Sequence, residues 1–266
     1  MANPAPALQL NNVTKVFRAK MRLPDNLIST STEVVALRQV SFHVGQGEIV
    51  GLIGANGAGK TTLLKTMSGA LTPSSGEVTS LSKPKLISGK GLRLPNLSIS
   101  ENVRLVLAAH GRTSREAKKE ARELLELAEL DDHSPLPYRT LSTGSRRRLD
   151  FFLAMVSEPG ILLLDEVLAL ADRRFQRNAA DILRSRMEGA QCAVISSNSM
   201  KTITQSCSRA ILLQDGKLVF DGSVKDAVAH YEEQKRLTAL RYKHAQKPEH
   251  RGWRPSQPVP SPTSAD

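Results

Sequence analysis

The chain has 266 residues, a formal net charge of +11, 40% hydrophobic and 4% aromatic content and two cysteines, enough apolar material for one large α/β domain or a core with a small subdomain. No run approaches the ~18 apolar residues of a membrane span, and Met1-Ala-Asn-Pro-Ala-Pro6 lacks the charged and apolar regions of a secretion signal, so neither membrane crossing nor export is expected. Cys192 and Cys207 have no metal-ligand spacing and are read as reduced thiols, while sparse aromatics weigh against nucleic acid and leave the basic excess to an anionic membrane surface.

In chain order, Leu8 to Phe17 alternates as a strand that places Phe17 at its end. Arg18 to Glu33 has mixed charge, a proline and a Ser-Thr cluster, and reads as an exposed loop. Val34 to Leu37 and Val40 to Val44 resume the strand pattern. Gly45-Gln-Gly47-Glu48 then turns the chain toward the next strand.

That strand runs into Val50-Gly-Leu-Ile-Gly54-Ala55-Asn56-Gly57-Ala58-Gly59-Lys60-Thr61-Thr62, which fits G-x-x-x-x-G-K-[ST], the phosphate-binding loop. Glycines are needed because the chain must curl tightly enough for successive backbone N–H groups to point inward at a polyphosphate. Lys60 is expected to reach the β and γ phosphates and Thr61 to offer its hydroxyl to Mg2+. Leu63, Leu64 and Met67 begin a helix whose positive N-terminal end faces the same anion. The opening strands are expected to form an antiparallel layer beside the nucleotide.

Beyond this helix, Leu71-Thr-Pro-Ser-Ser-Gly76 is turn chemistry. Ser98-Ile-Ser-Glu101 and Thr113-Ser-Arg-Glu116 are capping boxes that start two helices, the second with Ala117, Ala121, Leu124, Leu125 and Ala128 on one face. They open a small helical subdomain that runs from about 98 to 157. Leu141-Ser142-Thr-Gly144-Ser145 starts a further helix over Arg146 to Ser157.

Ile161 to Leu164 is a continuous apolar run, as expected of a strand covered on both faces. It delivers Asp165, placed to hold Mg2+, and Glu166, placed to take a proton from an attacking water. Asp181 to Met187 reads as helix and Ala193 to Ile195 as strand. Ala210 to Leu213 and Lys217 to Phe220 form a hairpin around Asp215-Gly216. Residues 236–266 read as a helix end followed by a basic, Pro- and Ser-rich tail without fixed structure.

With the phosphate loop and the Asp165-Glu166 strand, Leu141 to Ser145 resembles the Leu-Ser-Gly-Gly-Gln signature of ATP-binding cassette proteins, over about residues 8–230. The resemblance implies an α/β fold: a P-loop NTPase cassette (residues 1–235) with a RecA-like mixed-sheet core, an antiparallel β layer and the helical subdomain. It implies that Ser142 and Gly144 of one subunit lie on ATP held by Gly54 to Thr62 of another, so that a homodimer closes on two nucleotides. It also gives Phe17 the role of adenine-stacking aromatic. Asp165 to Gln176, the segment after Phe17, and Val219 to Tyr231 are similar to the ATPase subunits of capsular polysaccharide, O-antigen and teichoic acid exporters. This narrower similarity implies an ATPase beneath a polytopic membrane permease, peripheral on the cytoplasmic face of the plasma (inner) membrane.

Three departures accompany the resemblance. The slot of the usual histidine after the strand holds Ser197, Leu86 to Pro95 contains no glutamine, and the signature ends in Ser145. They imply retained ATP and Mg2+ binding with slowed hydrolysis, Glu166 remaining the principal catalytic group. A degenerate cassette acting as a nucleotide-dependent switch is the alternative.

Overall fold

A computed structural model of the chain describes residues 5–22, 29–87, 93–156, 160–166 and 173–245. Residues 1–231 form one compact unit and residues 232–266 a second. The first is built on a six-stranded sheet of β3 (Ile49–Ile53), β5 (Lys85–Ile87), β6 (Ile161–Asp165), β7 (Cys192–Ser196), β8 (Arg209–Gln214) and β9 (Lys217–Ser223). Their order is β5-β6-β7-β3-β8-β9, with parallel pairing throughout except for the antiparallel β8–β9 hairpin.

The side-chain period of two divides the strand residues between two apolar clusters. Leu162, Leu164, Ala193, Ile195, Ala210 and Leu212 enter a cluster shared with the helices α2 (Ile99–Ala109), α3 (Ser114–Leu127), α4 (Thr143–Ala154) and α5 (Arg173–Glu188). Ile161, Leu163, Cys192, Val194, Ile211 and Leu213 enter the other, with Leu63, Leu64 and Met67 of α1 (Lys60–Met67) and the antiparallel layer. Strands buried on both faces have no polar side to alternate with, hence the unbroken apolar runs.

That layer consists of β1 (Leu8–Arg22), β2 (Ser29–Val44) and β4 (Ser75–Ser80) in the order β2-β1-β4. Within the loop expected between Arg18 and Glu33, residues 18–22 and 29–33 are the outer arms of β1 and β2, paired from Phe17↔Val34 to Arg22↔Ser29, and residues 23–28 lie outside the described residues. Backbone ladder bonds and the cross-strand ion pair Arg18–Glu33 at 2.7 Å are available to it without any apolar face. The turn expected over Leu71 to Gly76 likewise ends sooner, because Ser75 already pairs with Thr14.

Both capping boxes form. Ser98 accepts from the Glu101 amide and Thr113 from that of Glu116, while each glutamate side chain accepts the cap's own N–H. The Ser98 hydroxyl and N–H donating to the Glu101 carboxylate, and the Thr113 N–H and hydroxyl donating to that of Glu116, lower the pKa of both carboxyls. Helices α5, α6 (Met200–Ser206) and α7 (Val224–Ala245) extend or add to the expected ones, α7 continuing past Arg236 to Ala245. Residues 88–92, where the glutamine question falls, 167–172 of the exporter-like segment and the tail 246–266 lie outside the described residues.

Among the described residues, Arg93 and Asp150 form a charge pair that is buried. Arg93 Nη2 meets Asp150 Oδ1 at 2.7 Å, each side chain about 10% exposed, which ties the approach to α2 to the middle of α4. Burial pushes the Asp150 carboxyl up and the Arg93 guanidinium opposes the rise. Removing the carboxylate takes a buried charge partner from Arg93, so Asp150→Ala is expected to cost about 3–5 kcal/mol of stability, seen as a lower urea midpoint. Joining Arg93→Met to Asp150→Leu is expected to recover most of that loss.

Candidate functional site

The mouth of the candidate site lies where β3 and β6 end. A cavity of about 540 Å³ is lined by Asn56, Gly57, Gly59, Lys60, Thr61, Thr62 and Glu166 on one side. Its other wall is Val34, Val35, Ala36, Arg38, Asp215 and Gly216.

The loop owes its course to close packing. Gly59 has φ +105, and a Cβ there would sit 2.7 Å from the Ala36 carbonyl oxygen. Gly59 is also the N-cap of α1, so no side chain accepts from the helix's first amides. Helices α2, α3 and α4 by contrast carry hydroxyl caps at Ser98, Thr113 and Ser142. The free amides and the positive end of α1 therefore face the cavity mouth, the arrangement that suits an anion.

Lys60 is only 6% exposed, yet its Nζ donates to the carbonyls of Gly54 at 2.7 Å and Ala55 at 3.1 Å. Burial lowers its pKa, and the charges of Glu166 and Asp165 oppose that shift. Ala58 and Gly54 pack beneath the loop rather than lining the cavity.

Glu166 follows Asp165 with φ +53, a left-handed backbone unusual for a side chain of its size. Its N–H donates to the Ser196 carbonyl at 3.0 Å. Its Oε1 accepts from Asn198 Nδ2 at 2.7 Å. Ser197, placed by the sequence in the slot that reaches the γ phosphate and the water, accepts the Ser199 N–H at 3.1 Å. Asn198 is the residue the sequence reasoning missed: its offset from β7 is one greater, and counting from a strand end does not reveal which side chain a turn directs inward.

The remaining candidates lie away from the cavity wall. Ser142 accepts from the Ser145 amide at 3.1 Å and donates to the Ser145 hydroxyl at 2.9 Å, and both Ser142 and Gly144 are exposed at the start of α4. Phe17 is 40% exposed and pairs across the ribbon with Val34, a cavity residue, while Lys15 Nζ sits 5.4 Å from its ring centroid. Sequence reasoning also missed the far wall. It forms because the Gly216 amide donates to Ala58 at 3.0 Å while the Gly216 carbonyl accepts from Arg38 at 2.8 Å, drawing the β8–β9 turn onto the loop.

The family model described as "ABC transporter" matches residues 37–169. Among curated proteins, the chain is 35% identical over 199 residues to the teichoic acids export ATP-binding protein TagH of Listeria monocytogenes, covering 74% of this chain and 59% of that protein. It is 38% identical over 192 residues to the O-antigen export system ATP-binding protein RfbE of Yersinia enterocolitica, covering 72% and 80%. A dimeric ATP-binding cassette solved in a post-hydrolysis state with ADP and Pi superposes with a TM-score of 0.68 at 23% identity, covering 82% of this chain and 98% of that one. The mixed sheet, its antiparallel layer and its helices thus have the fold of that cassette.

Space at the loop provides a direct test. Gly59→Ala brings a Cβ against backbone in a left-handed conformation, whereas Gly57, at φ +83, has nothing within 4 Å of an added Cβ. Gly59→Ala is expected to weaken a fluorescent ATP analogue by about tenfold or more, and Gly57→Ala by distinctly less, in an equilibrium binding titration.

Proposed function

The chain belongs to the ABC transporter family, and from that premise we propose that it is the ATP-binding and ATP-hydrolysing subunit of an exporter for a glycan of the teichoic acid or O-antigen kind. The observation that carries the proposal is a single cavity lined by both Lys60 and Glu166 at the end of the phosphate loop, with the charges of Glu166 and Asp165 acting on the Lys60 ammonium. A buried cation, free helix amides and an adjacent carboxylate are the parts needed to hold a polyphosphate and activate a water beside it.

In this reading the loop from Gly54 to Thr62 holds the β and γ phosphates, with Lys60 supplying charge. Glu166 accepts the proton of the attacking water as its oxygen bonds to the γ phosphorus and the bond to ADP breaks. Thr61 and Asp165 suit Mg2+, a hard cation that takes few ligands from protein and completes its shell with phosphate and water. Bound there, Mg2+ supplies charge neutralisation at the phosphates. Phe17, next to cavity-lining Val34, stacks on the base.

Ser142 and Gly144 belong to the site of a second copy. Their exposure at the positive end of α4, outside their own chain's cavity, supports a head-to-tail homodimer around two ATP molecules. No helix among the described residues is long and apolar enough to cross a membrane. In this reading a separate polytopic permease supplies the path, with this subunit at the cytoplasmic face of the inner membrane and α2 and α3 turned to that partner. The chain spans 59% of the length of the TagH relative. The uncharged Asn198 amide at Glu166 favours slow turnover, and with it a second reading as a nucleotide-dependent switch.

Glu166→Gln is expected to slow ATP turnover by about 10² to 10⁴-fold while leaving ATP-dependent dimerisation intact. Gly144→Asp is expected to abolish that dimerisation in size-exclusion chromatography with light scattering. Parent-like turnover by Glu166→Gln would overturn the hydrolytic assignment.

A further inference from the structure

We propose that the cleft between the antiparallel layer and the β8–β9 hairpin is a second ligand site, one that takes the phosphoryl group of a small phosphate monoester. The inference is independent of the hydrolytic reading of Glu166. The cleft has a volume of about 650 Å³ and draws on both sheets, with Thr14 from β1, Arg38, Gln39 and Ser41 from β2, and Lys217 from β9. Val35 and Leu218 supply its apolar surface. Cavities that hold whole small molecules run from about 300 to 1,000 Å³, so the space suits an organic molecule rather than a bare ion.

A β-bulge builds the cleft. Strands β1 and β2 pair Val13↔Val40 and Lys15↔Leu37, which leaves Thr14 alone opposite Arg38 and Gln39. A regular strand sends successive side chains to opposite faces, but here Arg38 and Gln39 are both exposed and both line the cleft. Gln39 has φ +50, a left-handed backbone uncommon for a residue other than glycine, and its N–H donates to Thr14 Oγ1 at 3.1 Å. The Arg38 N–H donates to the Gly216 carbonyl at 2.8 Å, which brings Lys217, the next residue along, beside the bulge.

The lining has two cations and no carboxylate. Among the described residues neither Arg38 nor Lys217 forms an ion pair, whereas Arg209 at the start of β8 is held by both Glu48 and Asp221. The Thr14 hydroxyl accepts from Gln39 and still has its own O–H to donate. Ser41 is committed to Asn12, accepting its N–H at 2.7 Å and donating to its Oδ1 at 3.2 Å. A guanidinium, an ammonium, a hydroxyl and the Gln39 amide are therefore the donors on offer. A phosphate monoester brings three acceptor oxygens and close to two negative charges to such a set, where a carboxylate brings two oxygens and one charge. Val35 and Leu218 then lie against the carbon frame. Val35 and Arg38 also line the nucleotide cavity, so the two sites share a wall without sharing the phosphate loop.

The test is titration calorimetry of the full chain with glycerol 3-phosphate and glucose 1-phosphate, run with and without saturating ADP. At least one ester is expected to bind saturably, with an affinity that ADP changes by no more than about tenfold through the shared wall. Inorganic phosphate is expected to bind distinctly more weakly. Lys217→Gln is expected to weaken the ester by about 10- to 100-fold, the range for a hydrogen bond to a charged group, and Lys217→Arg to retain most of the affinity. Lys217 is exposed and lies outside the nucleotide cavity, so ADP affinity and melting temperature stay at parent values.

Absence of saturable binding by either ester would overturn the inference. So would binding that ADP abolishes, which places the ester on the phosphate loop, or binding that Lys217→Gln leaves unchanged. Inorganic phosphate as tight as the esters removes the organic frame from the proposal. Capture by phosphatidic acid vesicles with no binding of the soluble esters overturns it in favour of a lipid headgroup. None of these outcomes bears on the ATPase reading, which the turnover of Glu166→Gln decides.

Discussion

Burial of the central strands on both faces is the constraint that creates the site. Because β3, β6, β7 and β8 send alternate residues into two apolar clusters, they have no exposed face on which charge can stand. Polar chemistry is displaced to where the strands stop, and parallel strands stop together at one edge. Asp165 and Glu166 after β6, Asn198 after β7, the loop after β3 and the turn after β8 are all exits of this kind. The apolar interior leaves them no other place.

The exits also restrain each other. Lys60 is buried against the carbonyls of its own loop, which lowers its pKa, while the charges of Glu166 and Asp165 oppose that shift. The Asp215-Gly216 turn is hydrogen-bonded to the loop and to Arg38, which fixes the far wall without any side-chain bond. A site assembled from neighbouring backbone segments can be stiff even where its side chains are exposed. The left-handed backbone at Glu166 is tolerated for the same reason, held by the Ser196 carbonyl.

What was legible in the sequence was local. The phosphate loop, both capping boxes and the apolar β6 run each carry their signal within a few residues, and each forms where it was expected. The outer arms of β1 and β2 were not legible, because a ribbon held by ladder bonds and one ion pair needs no periodic apolar face. At three residues β5 is too short to show a period, and it is defined by its pairing with β6. The cavity wall of Val34, Val35, Ala36, Arg38, Asp215 and Gly216 depends on contacts between segments nearly two hundred residues apart in sequence. No local pattern encodes such a pairing.

Ser197 and Asn198 mark the limit of reading by spacing. Both come after the same strand, both are polar, and a one-residue difference in offset separates a group that closes a turn from one that meets Glu166. Side chains leaving a strand diverge at each successive residue, so the identity of the facing group is decided by the turn, here fixed by the Ser199 cap of α6. The cap is thus part of the site's geometry. The Ser199 amide donates to the Ser197 hydroxyl, the Ser199 hydroxyl starts α6, and Asn198 donates to the carboxylate.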